Sequence, residues 1–248
     1  MKTYKKTFSD SPSAKYVCPE CKEGSLVPEK GNFKFSEPKY SKDAHSHDAW
    51  DPDWITHRFV FTCVCDRDGC GELAFVSGTG GVGQRYDYDG SPEYYNFFRI
   101  RSFFPAPYLV SLPENAPSEV VELVEKSFSL FWIDTSAASN ALRASLEALL
   151  DDLKIPRVQA GKGNGTHRLN LHNRIELWST QQAEYAELCQ ALKEVGNLGS
   201  HGESVDDSHY FGILNIYSHV LFQLYENNAA EMKKLAADIR ASIKKDKK

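Results

Sequence analysis

Five of the six cysteines lie before residue 71, and their spacing is typical of a metal site. Cys18 and Cys21 form a CxxC pair, and Cys65 and Cys70 form a second pair with four residues between them. Four thiolates bind Zn²⁺ tetrahedrally, and such an ion stabilises a lobe that is too small to have a core of its own. The pattern therefore predicts a structural zinc ion bound by all four thiolates, with free buried cysteines or a vacant site as the alternative interpretation.

The second pair allows two choices of ligand, because Cys63 lies only two positions before Cys65. Phe59, Phe61, Cys63 and Cys65 alternate with other residues, and this period of two predicts a strand with the four side chains on one face. Cys63 is therefore an alternative ligand to Cys65. Cys189 lies in an apolar helical stripe far along the chain and is predicted to be an ordinary core residue.

Histidines are concentrated between the two cysteine pairs. His45, His47 and His57 lie in a stretch that also contains several aspartates. An HxH pair in a polar loop is more often solvated surface than a metal site, so these histidines are left out of the predicted zinc set. The sequence assigns no role to this insert.

A second group of polar residues lies where a predicted helix meets several glycines. Good helix formers up to Val195 are followed by Gly196, and glycine lets the backbone approach a ligand or a second helix closely. Asn197 and His201 are four positions apart, so they share a face with Lys193 if the helix continues. The alternative is that Gly196 ends the helix and that His201 hydrogen-bonds locally in a loop.

An earlier helix, predicted from about residue 136 to residue 153, carries Arg143 and Glu147 at positions i and i+4. A pair of this kind is normally a surface salt bridge that contributes about 0.3–0.5 kcal/mol. By itself it therefore indicates no function.

Composition limits the classes of protein to which the chain can belong. The formal net charge is −5, so no overall positive field points to nucleic acid, and such binding would require a local basic patch. No apolar run approaches the ~20 residues that span a bilayer, and the first residues lack the apolar segment of a signal peptide. We therefore expect a cytoplasmic protein with no membrane partner.

The change from alternating to helical periodicity predicts an α+β fold with three parts. Residues 1–15 are expected to be a flexible lead-in, 16–114 a small zinc-ribbon-like β lobe with a loop insert, and 115–248 an all-α helical bundle. The glycines from Gly78 to Gly83 are predicted to form a hairpin tip, because no lysine and no helix signal follow them as in a phosphate loop.

Several motifs of the helical part occur in a recognisable order. They comprise Pro107, Leu112, Pro113, Ala137, Ala138, Arg143, Leu146, Glu147, Asn173, Arg174, Ile175, Lys193, Gly196, Asn197, Gly199, Ser200, His201 and Asp206. In this order they resemble the domain-of-unknown-function 4145 family, whose members often carry a cysteine ribbon in front. That family is grouped by resemblance with the HEPN helical domains, which occur in restriction, toxin and antiviral systems.

The resemblance implies a HEPN-like bundle and a role near nucleic acid. HEPN domains often work as dimers, and the amphipathic stretch after Ala229 offers an apolar face for a partner. We therefore expect a homodimer that binds RNA or DNA, together with partner proteins of a prokaryotic defence or toxin system.

Many HEPN domains are metal-independent ribonucleases that use an arginine, a polar neighbour and a histidine four to six residues beyond the arginine. In this sequence the resemblance makes His201 the histidine and Asn197 the polar neighbour, but Gly196 stands at the position of the arginine. Cleavage by a neighbouring 2′-hydroxyl needs a base and a cation that stabilises the charge developing on the phosphate. Lys193 or Arg143 would have to supply that cation.

Glu147, beside Arg143, completes this candidate catalytic set. Because glycine cannot replace the missing arginine, the sequence favours a binding accessory protein that retains the pocket without the chemistry. The first alternative is a metal-independent endoribonuclease with His201 as the general base. The second is a structural adaptor in which the segment around Gly196 only allows helices to pack closely.

Overall fold

A curled, seven-stranded sheet forms the N-terminal part of the chain in the computed structural model, which describes residues 4–160, 165–200 and 204–226. The strands, with one short helix among them, are β1 Thr7–Ser9, β2 Tyr16–Val17, β3 Ser25–Pro28, β4 Lys34–Ser36, α1 Lys39–Ala44, β5 Thr56–Cys65, β6 Leu73–Tyr86 and β7 Pro92–Phe104.

The sheet is antiparallel throughout, in the order β1-β7-β6-β5-β3-β2, and β5 organises it. One edge of β5 pairs with β6, while the other pairs with β4 near its start and with β3 near its end. Phe59, Phe61, Cys63 and Cys65 all lie on the buried face of β5, which confirms the predicted strand and its face.

The predicted glycine-rich hairpin tip is wrong, because Gly78 to Gly83 lie inside β6. A β-carbon on Gly78 would lie 2.7 Å from the ring of Phe59, and one on Gly80 would lie 2.7 Å from the ring of Phe98. These glycines therefore make room for the aromatic core of the sheet. The turn of the hairpin comes later, where the N–H of Asp87 donates to the carbonyl of Ser91.

The N-terminal part also has a larger apolar core than the small ribbon expected from the cysteines would have. Phe8, Phe33, Phe59, Phe61 and Phe98 form a cluster with ring centroids 5.0–6.2 Å apart. Aromatic side chains each bury a large apolar area, so the sheet has an apolar core in addition to the cysteine cluster. The aromatic residues come from three strands and one loop, and no local pattern in the sequence predicts that they meet.

The start of the chain differs from the expected flexible lead-in, because β1 pairs with β7 and Tyr4 and Lys6 are buried. The ammonium of Lys6 donates to Thr135 Oγ1 and Asp207 Oδ1, both at 2.7 Å, and lies 4.0 Å from the ring centre of Phe131. Burial lowers the pKa of Lys6, and the carboxylate of Asp207 opposes that shift. The first residues thus fasten the sheet to the helical part.

Helices make up most of the C-terminal part. In chain order the elements are α2 Ser118–Phe131, α3 Thr135–Asp152, β8 Val158–Ala160, β9 Thr166–Arg168, α4 Leu171–Ser179, α5 Ala183–Ser200 and α6 Asp207–Tyr225. The strands β8 and β9 form a separate antiparallel hairpin. The coarse prediction of a sheet followed by helices is confirmed.

Helix α5 does not end at Gly196, as one interpretation of its glycines predicted, but continues to Ser200. A β-carbon on Gly196 would lie 3.0 Å from Cδ and 3.1 Å from Cβ of Arg143 on α3. The glycine therefore lets α5 approach α3 closely. His201 and the amphipathic stretch after Ala229 lie outside the described residues.

The sheet and the helices share one hydrophobic core. Trp132, which follows α2, is fully buried, and its ring centroid lies 5.5 Å from that of Tyr16 and 5.1 Å from that of Phe103. Both partners belong to the sheet part. Among the described helices, none is long and apolar enough to cross a membrane.

Candidate metal centre and arginine cavity

Four thiols converge at one end of the sheet. Cys18 and Cys21 lie in the turn between β2 and β3, Cys65 ends β5, and Cys70 lies in the next turn. The pairing of β3 with β5, in which Leu26 faces Cys65, brings the two turns together. All four sulfur atoms lie within 4.8 Å of one another.

The spacing of the sulfur atoms suits a tetrahedral ion. The Cys18 and Cys70 Sγ atoms are 3.8 Å apart, and those of Cys21 and Cys65 are 3.7 Å apart. Tetrahedral zinc with Zn–S bonds of about 2.3 Å places its thiolates about 3.8 Å apart. The donor set therefore fits one ion bound by four cysteines.

Backbone groups support this cluster. The N–H of Gly24 donates to Cys21 Sγ at 3.2 Å and is the main reason why the pKa of Cys21 is lowered to about 6, whereas burial raises the pKa of Cys18 to about 12. A β-carbon on Gly24 would lie 2.5 Å from Cys65 Sγ, so only glycine fits there. A bound cation would favour the thiolate form of all four ligands.

Cys63 lies outside the cluster. It occupies the same face of β5 as Cys65, but two residues earlier along the strand, about 6.6 Å away. Its side chain is fully buried in the core, and this burial raises its pKa to about 12. The structure thus separates the two alternatives that the spacing left open.

The histidine-rich insert does not join the cluster. His45 Nε2 lies 2.8 Å from Glu37 Oε1, and the ring of His47 packs against Trp54. His57 is buried, with Nε2 3.1 Å from Asn96 Oδ1. None of these contacts joins a histidine to one of the four clustered cysteines.

A second site, which we call the arginine cavity, lies between α3, β9 and the start of α4. It has a volume of about 310 Å³ and is lined by Arg143, Glu147, Arg157, Arg168, Leu169, Asn170, Leu171 and Arg174. Four arginines thus meet in one cavity of a chain whose net charge is negative.

One carboxylate, Asp151, fixes two of the four arginines. Arg174 is 4% exposed and donates to Asp151 Oδ1 at 2.8 Å and to the carbonyl of Ile155 at 2.9 Å. Arg157 Nε donates to the same oxygen at 2.7 Å, and these guanidinium groups hold the pKa of Asp151 below its ordinary value. Arg157 and Arg174 are therefore held in place by the protein.

The other two arginines have donors to spare. Arg143 is 3.5 Å from Glu147 Oε1, a long contact that forms the predicted i, i+4 pair, and its Nε is buried without an acceptor among the described residues. Arg168 is exposed and forms no ion pair with a described carboxylate. Each guanidinium has five N–H donors, so Arg143 and Arg168 can each donate to an additional anion.

The remaining predicted catalytic residues are arranged around Gly196. Lys193 lies one turn before Gly196 on α5, and its Nζ is 3.4 Å from His172 Nδ1. Asn197, on the same helix, is exposed. The aliphatic stem of Arg143 on α3 packs against Gly196, since a β-carbon there would lie 3.0 Å from Arg143 Cδ. His201 lies outside the described part of the chain.

Three arginines of the cavity and Asp151 were not among the predicted site residues. Arg157 lies in the segment between α3 and β8, Arg168 on β9 and Arg174 on α4, and their spacing matches no phosphate-binding motif. The only local signal is that they occur within 18 residues of one another around a glycine-rich loop.

Comparisons with known proteins divide the chain at the same place as the fold. Residues 125–244 match the family described as Domain of unknown function (DUF4145), and this match confirms the resemblance drawn from the motifs. Residues 6–106, which include all four clustered cysteines, match the family described as Domain of unknown function (DUF8608). No curated protein and no solved structure matches the chain.

Proposed function

We propose that this chain, whose residues 125–244 match the DUF4145 family, is a nucleic-acid-binding accessory protein that contacts phosphate groups through the arginine cavity. The observation that carries the proposal is the meeting of Arg143, Arg157, Arg168 and Arg174 in one cavity. Arginine binds phosphate oxygens through paired N–H donors, and phosphate contacts dominate the affinity of proteins for nucleic acid.

The net charge of −5 by itself does not favour binding to nucleic acid, but the charge around the cavity is positive. A protein without an overall positive field can still bind nucleic acid if a patch concentrates its cations. The arginine cavity is such a patch, and Lys193 adds a further cation on the neighbouring helix α5.

The setting of this activity rests on the resemblance to HEPN domains. We propose that the helical part is a HEPN-like bundle, that the protein acts in a prokaryotic defence or toxin system with partner proteins, and that it forms a homodimer. The resemblance also supplies the alternative function, a metal-independent endoribonuclease in which His201 is the base and Asn197 orients the substrate.

One observation favours the endoribonuclease as a second candidate. Arg143 packs against Gly196, so a cation is present beside the segment that carries Asn197. The carboxylate of Glu147 partly compensates the positive charge of Arg143, however, and Lys193 contacts His172 instead. We therefore favour binding without cleavage. In the adaptor alternative, Gly196 serves only the close packing of α3 and α5.

The cysteine cluster has a structural role in this proposal, with Zn²⁺ as its ion. Cys18, Cys21, Cys65 and Cys70 would hold it, and thiolate ligands together with tetrahedral spacing favour zinc over harder cations such as Mg²⁺. A site with four protein ligands has no open position for a substrate. The ion would fasten the two cysteine-bearing turns to each other.

Binding can be tested with labelled single-stranded RNA and DNA by fluorescence anisotropy at several salt concentrations. Arg168→Ala should weaken binding about tenfold or more, because a charge-assisted contact to phosphate is lost. It should also lower the slope of log K against log salt by roughly one. Arg85→Ala is the matched control, since Arg85 is also exposed but pairs with Glu93 on the β6–β7 hairpin, outside the lining of the cavity. Equal losses in both variants would contradict a role of the cavity.

Cleavage is tested on the same RNA in a metal-free buffer with a chelator concentration that leaves the zinc content unchanged. We expect intact RNA at every pH from about 5 to 8, the range in which a histidine titrates. If the RNA is cut, and if His201→Ala lowers the rate about a hundredfold without changing the melting temperature, the endoribonuclease replaces the accessory protein as the correct function.

A further inference from the structure

We infer that the arginine cavity takes a phosphomonoester, such as the terminal phosphate of a nucleic-acid strand, in preference to the phosphodiesters inside the strand. The inference deepens the proposed function and rests on it. It is drawn from the charge, the shape and the unused donors of the cavity.

The charge of the cavity matches a dianion. Four guanidinium groups line it, and among the described residues two carboxylates, Glu147 and Asp151, form ion pairs with them. The four cations therefore outnumber these paired carboxylates by two. A phosphomonoester carries about −1.5 to −2 at neutral pH. A phosphodiester carries a single negative charge and would leave part of the positive charge uncompensated.

The shape of the cavity also favours an end over a continuous strand. Its arginines converge from α3, the segment after α3, β9 and α4 onto about 310 Å³, the lower end of the range of about 300–1,000 Å³ for small-molecule sites. Proteins that track the interior of a strand instead distribute their cations along an open groove. A concentrated set of cations suits one highly charged group.

The start of α4 adds a further feature that suits an anion. Asn170, the N-cap of this nine-residue helix, and Leu171 line the cavity. The Asn170 side chain accepts from the N–H of Asn173 at 2.9 Å, while helix N-termini favour negative charge through their other N–H groups. The positive end of α4 and the arginines therefore act on the same space.

The donors are organised before a ligand arrives. Asp151 and the carbonyl of Ile155 fix Arg174, and Asp151 also fixes Arg157. Arg168 has no described carboxylate as a partner, and the Nε atoms of Arg143 and Arg174 have no described acceptor. Two anchored arginines and two with free donors can surround the terminal oxygens of a phosphate without large rearrangement.

The test compares one single-stranded oligonucleotide with a 5′-phosphate, a 3′-phosphate or hydroxyl groups at both ends, by titration of the full-length protein. At least one phosphorylated strand should bind about tenfold more tightly than the hydroxyl form. Arg168→Ala should abolish this difference, while Arg85→Ala should retain it. Glu147→Gln should increase the affinity for the phosphorylated strand several-fold, because it removes a negative charge from the cavity. This gain cannot result from misfolding.

Inorganic phosphate and adenosine 5′-phosphate distinguish a strand end from a small phosphorylated ligand. If either compound, added as a competitor, removes the difference in affinity between the phosphorylated strand and the hydroxyl form, the monoester site is supported. If all three strands bind equally, and Arg168→Ala weakens them equally, nucleic-acid binding stands and the monoester inference fails. If no strand binds, the proposed function fails. The monoester site then survives only if adenosine 5′-phosphate binds in an Arg168-dependent manner.

Discussion

Cys65→Ser is expected to lower the zinc content of the purified protein from about one ion per chain to nearly none, because it removes one of four thiolates from a tetrahedral site. Cys18→Ser and Cys70→Ser should have the same effect. The loss should expose the backbone of the two cysteine-bearing turns, roughly residues 16–28 and 63–73, to hydrogen exchange. The rest of the sheet should stay protected, because the aromatic cluster around Phe98 is held by contacts between its own rings.

Cys63→Ser provides the matched control from the same strand. It places a hydroxyl in a fully buried position and should cost about 1–3 kcal/mol of unfolding free energy, but the zinc content should be unchanged. Elemental analysis and hydrogen exchange of both variants measure the two effects separately. Zinc that persists in Cys65→Ser, zinc that is lost in Cys63→Ser, or a wild-type protein without metal would each refute the assignment.

Trp132→Ala should destabilise the sheet and the helices together, by about 3–5 kcal/mol. Trp132 is fully buried and lies between Tyr16 and Phe103 of the sheet part and Phe131 of α2. Removing the indole therefore leaves a cavity at the junction of the two family segments. Because one hydrophobic core spans both segments, urea denaturation should show a single transition whose midpoint moves to lower urea concentration.

The neighbouring residue serves as the control for this prediction. Ile133 is 60% exposed, so Ile133→Ala should change the free energy of unfolding by no more than about 0.5 kcal/mol. Circular dichroism reports on the whole chain, and hydrogen exchange resolves the sheet from the helices. Two separate transitions, with only one moved by Trp132→Ala, would show that the segments are independent domains.

The shared core alters how the two family segments should be understood. Sequence comparison divides the chain into residues 6–106 and 125–244. Across that division Lys6 forms an ion pair with Asp207, and the ring of Trp132 packs against the ring of Tyr16. Asp207 begins α6, directly after the part of the chain that contains His201. Lys6, next to β1, therefore holds the start of α6.

The metal cluster and the helical periods could be predicted because their signals are local. A CxxC turn places two thiols side by side by chain geometry alone, and the repeat of apolar residues in α2 and α3 follows from 3.6 residues per turn. The boundaries of α3, Thr135–Asp152, lie within one residue of the prediction. These features depend on residues that are close together in the chain.

Other features were decided by contacts between distant residues. Cys63 and Cys65 share a face of β5, and only the pairing of Leu26 with Cys65 determines which thiol reaches the other turn. Gly78 resembles a turn residue in isolation, but inside β6 it leaves space for Phe59.

The cysteine pairs, the helical periods and the order of the family motifs were determined by the sequence itself, because each depends on neighbours in the chain. The arginine cavity was decided only by the tertiary structure. Arg143, Arg168 and Arg174 lie on three elements, and Asp151 fixes Arg174 after α3 and α4 have packed together. Charges from separate elements combine into one electrostatic site only when folding brings them within a few ångströms, and no spacing in the sequence records that distance.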